Sequence, residues 1–157
     1  MSRRRGQSIL YVILLMPAVL LILCMTVEVG QLQFQRLRLR NATDLATLSG
    51  ATSVDRTYYA GTGLLRLDPA LAVATTRDYL KRNLLEALGA EQAAAVADAA
   101  EIAVVNVPGK DPFTGVLLDR PSVSTRIKVR YRLSLLAFVG TVWQGTMSLA
   151  STSQIRP

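Results

Sequence analysis

The sequence predicts an α+β fold: a single N-terminal transmembrane helix that continues into a head with a small antiparallel sheet. Three observations predict it. Residues 7–27 form an uncharged apolar run. Helical spacing of apolar residues persists beyond that run to about residue 100, and from Glu101 onward the hydrophobic period changes to two. Helices first and strands afterwards is the pattern of α+β domains.

Composition narrows the function. The 157 residues make about one domain. With 50% hydrophobic and 18% charged residues, the chain is too apolar for intrinsic disorder. It has no histidine and one cysteine, which excludes a disulfide framework, a zinc centre and a histidine-based triad. No Gly-x-Ser-x-Gly signature is present. The expectation is a protein that is not an enzyme and uses no cofactor or metal.

Residues 7–27 would span about 31 Å as a helix, which matches a hydrocarbon core of about 30 Å. Most of them are Leu, Ile or Val. Pro17 lies inside the run, where a membrane helix tolerates it as a kink. Arg3, Arg4 and Arg5 precede the run, Glu28 follows it, and the next cation is Arg36. The positive-inside rule therefore places the N-terminus in the cytoplasm and the head outside. A secretory signal has a shorter apolar core of about 7–15 residues and a small-x-small cleavage site, so a retained anchor is the preferred reading. Cys24 is then a small apolar filler within lipid.

Beyond the membrane the first helix is expected to continue to about residue 54. Phe34, Leu37, Leu45 and Leu48 fall near one face, with Ala42 beside them. A loop is expected over residues 55–67. Asp68 and Pro69 supply an N-cap and a first helical residue, and Gly89 a stop. The alanine-rich residues 91–100 are expected to form a short third helix. Residues 102–107 read as a strand, and Pro108, Gly109, Asp111 and Pro112 punctuate a connection. The clearest strand covers residues 122–135. Val123, Thr125, Ile127, Val129, Tyr131 and Leu133 share one face; Ser124, Arg126, Lys128, Arg130, Arg132 and Ser134 share the other. Gly140 marks a turn before a last strand at 141–155, and the long helix should cover one face of the sheet. The domain plan is thus 1–6, a basic leader; 7–27, the span; 28–54, the rest of the first helix; and 55–157, the exported head.

Two stretches resemble a known family. One runs from Arg5-Gly6-Gln7-Ser8 through the apolar span with Pro17 to Glu28-Val29-Gly30, then Asn41-Ala42-Thr43-Asp44-Leu45-Ala46 and Ser49-Gly50-Ala51. The other comprises Val129-Arg130-Tyr131 and Met147-Ser148-Leu149-Ala150-Ser151. Together they resemble the TadE/TadG-like proteins of tight-adherence (Flp, type IVc) pilus systems. Residues 56–116 lie outside the resemblance. It implies a minor pseudopilin of the inner membrane with a pilin-like head. The implied partners are other pilin-like subunits, the pilus assembly platform and a prepilin peptidase that cuts between Gly6 and Gln7. Many prepilins carry a glutamate five residues after the cut; here that position is Tyr11. Tyrosine cannot make the ion pair that justifies a carboxylate in lipid. TadG-like members often carry an apolar residue there, so the resemblance leans to that side.

Two further features bear on function. Glu28 either contacts a neighbouring subunit or simply ends the span. The row Arg126, Lys128, Arg130 and Arg132 is either a solvated face or a site for acidic partner subunits. An alternative role follows from that row: a membrane-tethered module that binds an anionic polymer. No aromatic row interleaves the cations, so nucleic acid is not expected. Asp111 and Asp119 flank a loop but lack EF-hand spacing.

Overall fold

A computed structural model describes residues 3–133 and 143–155. Helix α1 spans Arg3–Ala51 and runs through Pro17 without interruption. It is the one helix, among the described residues, long and apolar enough to cross a membrane. Helices α2 (Arg56–Thr62), α3 (Pro69–Leu88) and α4 (Ala90–Asp98) follow. Then come strands β1 (Glu101–Val105), β2 (Gly109–Lys110), β3 (Leu117–Leu118), β4 (Ser122–Leu133) and β5 (Trp143–Gln154). Gly140 and the outer ends of the two long strand expectations, 134–135 and 141–142, lie outside the described residues.

The chain divides into two compact units. One holds residues 3–34 with the strand ends 132–133 and 143–145; the other holds 35–131 and 146–155. In the first unit nearly every side chain of α1 from residue 11 is exposed, as expected of a surface meant for lipid. Leu32 is half-buried and Glu28 is buried at 6% exposed, so the carboxylate that ends the apolar run does not face solvent.

In the second unit, helices cover one face of a three-stranded sheet of order β1-β4-β5. Strands β1 and β4 pair antiparallel, with Glu101 opposite Arg126 and Val105 opposite Ser122. The period-two reading of β4 holds from Arg126 to Arg130, where Ile127 and Val129 are buried and Lys128 and Arg130 exposed. At the start of the strand Ser122 and Ser124 are buried as fully as Val123 and Thr125, because the loop that carries Asp111 covers Ser124. The main core joins Leu39, Ala42 and Ala46 of α1 to Leu80 and Leu84 of α3, Val96 and Ala97 of α4, and Ile127, Val129 and Leu149 of the sheet.

The capping signals of α3 act as the sequence implies. The Asp68 carboxylate accepts from the N–H groups of Ala70 and Leu71 at 2.9 and 3.1 Å, and the Gly89 N–H donates to Leu85 O. The expected loop at 55–67 is not wholly irregular, because it contains α2. Asp55 caps that helix by accepting from Tyr58 N at 2.9 Å, and Gly63 ends it in the left-handed region at φ 69°. The connection near Gly109 folds into the β2–β3 ribbon.

The face of α1 that meets the core is lined by small residues. Leu39, Ala42, Thr43, Ala46, Thr47 and Gly50 are buried, whereas Phe34, Leu37, Leu45 and Leu48 are exposed. Of the residues read onto one apolar face, only Ala42 packs inward. Gly50 shows why size matters. A Cβ there would lie 2.0 Å from Thr76 Oγ1 and 3.2 Å from the backbone oxygen of Ala72 in α3. Helix propensity alone favours alanine over glycine by about 1 kcal/mol. Forcing α1 and α3 apart costs about 1–3 kcal/mol. Gly50→Ala should therefore lower the melting temperature of the full chain in detergent, and adding Thr76→Ala should restore part of the loss. A stabilised Gly50→Ala would refute the close contact.

Candidate functional site

The candidate side chains fall, among the described residues, on α1, on β4 and on the loop before it. No group of three or more His, Cys, Asp or Glu side chains is placed to hold a metal ion among the described residues. Three surfaces carry the candidate residues.

The first is α1. Gly6 and Gln7 lie within its first turns, and Tyr11 is an exposed residue of its apolar section. Past the apolar run, Leu37, Leu45 and Leu48 stay 58%, 55% and 52% exposed. At about 100° per residue they fall within one sector, roughly opposite the Leu39–Ala42–Ala46 face. The helix therefore has two apolar faces outside the span. One is built of small residues and packs on the head; the other is built of leucines and is open.

The second is the basic face of β4. Arg126 donates to Glu101 through Nε at 3.0 Å and also through Nη2, and Lys128 Nζ donates to the other carboxylate oxygen at 3.1 Å. The Arg126 guanidinium sits 4.7 Å from the centroid of the Phe113 ring. These bonds, Arg126 first and Lys128 second, hold the Glu101 carboxyl below its usual range. The acidic partner of half this row is thus in the same sheet, on the neighbouring strand. Arg130 and Arg132 are exposed.

The third is the loop that caps the other end of that face. Asp111 is buried at 3% exposed. Its Oδ1 accepts from Phe113 N at 2.6 Å and Thr114 N at 2.9 Å. Its Oδ2 accepts from Ser124 Oγ at 2.5 Å and from Thr152 Oγ1. Burial pushes this carboxyl up, but the hydroxyls of Ser124 and Thr152 and the two N–H groups outweigh it, and the pKa lies below the ordinary value. Asp111 is a structural pin joining the loop to β4 and β5. Asp119 instead lies in a loose pair with Arg120 at 3.9 Å.

Sequence reasoning had no signal for the pairing of Glu101 or the pin at Asp111. Both depend on strand register. A short polar residue two and three positions before the N–H groups it accepts is an Asx-turn pattern, and that local part was readable.

Comparison with curated proteins and with solved structures finds no match. The family comparison ends at residue 53, so it covers α1 and its exit and leaves the likeness of the strands unsupported. Over residues 6–53 the chain matches the TadE/G-like Flp pilus-assembly family, which is consistent with a TadE/TadG-like protein and supports a part in pilus assembly.

Proposed function

We propose that the chain is a membrane-anchored minor pseudopilin, with its N-terminus in the cytoplasm and its head exported, that takes part in assembling a Tad/Flp-type pilus. Its mechanism is packing rather than catalysis. The observation that carries this reading is the open leucine sector of α1 at Leu37, Leu45 and Leu48, on the helix that matches the pilus-assembly family. An apolar sector outside the lipid, turned away from the head's own core, suits another helix. The partners would be pilin-like subunits or assembly platform proteins. Arg3, Arg4 and Arg5 support the orientation. Tyr11 in place of a carboxylate supports an accessory role over that of a bulk filament subunit.

The test is a Leu37→Glu, Leu45→Glu variant, expressed in a strain that lacks the wild-type copy. Both side chains are exposed, so the head should melt as the wild type does. A charge buried without a partner in a helix–helix contact costs about 2–5 kcal/mol, and surface pili should be lost. Normal piliation by this folded variant would reject the reading.

A further inference from the structure

We propose that the free edge of β5 takes up an extended, acidic and apolar peptide segment of a partner protein by strand addition. This goes beyond the helix packing described above and uses a surface that shares only Leu48 with the leucine sector of α1.

Strand β5 ends the sheet among the described residues, and it is long, at 12 residues. Exposed edges are usually protected by charge, proline or brevity, because their unpaired N–H and C=O groups template further pairing. The opposite edge strand, β1, has 5 residues and carries Glu101. Residues 146–154 of β5 read Thr-Met-Ser-Leu-Ala-Ser-Thr-Ser-Gln, with neither charge nor proline. The phase of the backbone follows from one bond: Ile155 N donates to Pro121 O, on the β4 side, at 3.0 Å. Alternate residues of an antiparallel strand turn their backbone groups to opposite sides. Ser151 and Ser153 therefore face β4, and Ala150, Thr152 and Gln154 present N–H and C=O to the open edge.

A groove of about 750 Å³ lies along this edge. Consecutive residues 150–155 line it, so it is lined by the strand's edge and not by one side-chain face. Arg40, Asp44 and Leu48 of α1 form one wall; Val116 and Arg120 form the other. Because the edge is recessed between walls, a lone strand enters where the edge of a second sheet would collide with them. The walls also define the guest. Leu48 and Val116 are exposed apolar contacts. Arg40 and Arg120 are exposed cations, each in a loose pair at 3.9 Å with a neighbouring acid, and they outnumber Asp44, the one carboxylate of the lining. An alternating apolar and acidic peptide matches both. The β5 strand of a second copy of this chain would bring no acid to these cations, because residues 146–154 are uncharged.

The test uses the full chain in detergent with two labelled octapeptide probes, one alternating Val with Asp and one alternating Val with Lys. The acidic probe should bind more tightly and slow hydrogen exchange at Ala150, Thr152 and Gln154. Ala150→Pro removes one outward N–H without touching the β4 ladder, and should weaken binding roughly five- to tenfold. Arg40→Glu with Arg120→Glu, at exposed positions, should reverse the preference between the probes. Equal affinity for both probes, no binding of the acidic one, or unaltered exchange at those amides overturns the proposal. So does peptide-independent dimerisation that Ala150→Pro abolishes, because the edge would then pair with its own copy.

Discussion

Ile127→Asp should abolish the cooperative melt of the head. Ile127 is fully buried between α1 and the sheet, in the cluster that also holds Leu39, Leu84 and Leu149. A carboxylate there has no cation to pair with inside the apolar cluster, and its desolvation costs more than about 4 kcal/mol, comparable to the whole stability of many domains. Lys128→Asp, one residue on, is the control. Lys128 is exposed, and its bond to Glu101 is one of two cationic contacts on that carboxylate. Losing an exposed pair and placing a like charge opposite Glu101 are both small effects beside the burial of an unpaired charge. Circular dichroism melts of the full chain in detergent should separate the two variants widely. Equal unfolding by both would refute the two-faced strand.

Asp111→Ala should destabilise the head by about 2–4 kcal/mol, because it strands the hydroxyls of Ser124 and Thr152 and two backbone N–H groups at once. Asp111→Asn keeps acceptance from Phe113 and Thr114 but sets an NH2 group against two hydroxyls, so it should fall between. The native pKa of Asp111 is depressed, so the stabilising effect is complete above its unfolded value of about 3.9 and fades as pH falls through the lower native value. Urea unfolding at stepped pH should show the gap between wild type and Asp111→Ala narrowing on the acid side. Glu101 is shifted the same way and titrates in both proteins, so the difference between them isolates Asp111. A gap that widens on acidification would contradict the pin.

Features set by a few adjacent residues were readable in advance. The Asp68-Pro69 start and Gly89 stop of α3 are local chemistry, and the alternation of β4 follows from backbone geometry. The inward face of α1 was not readable. Periodicity points to the large apolar residues, and Leu37, Leu45 and Leu48 gave the stronger signal. Packing instead chose Ala42, Ala46 and Gly50, because only small side chains let α1 approach α3 and the sheet closely. Nor could the basic row reveal its own neutralisation. Glu101 stands 25 positions from Arg126 along the chain, and only the β1–β4 register makes them neighbours. Helix α2 is a seven-residue helix with no buried side chain, so no apolar pattern announced it.

The packed joint inside the head buries Thr43 and Thr47 of α1 and Thr76 of α3, which a hydropathy scale scores as polar. Each hydroxyl donates to a carbonyl one turn back in its own helix, Leu39 O, Thr43 O and Ala72 O, at 2.7–2.8 Å. What the threonines turn to their neighbours is then largely methyl. The joint behaves as hydrocarbon: added salt leaves its strength untouched, whereas cooling weakens it.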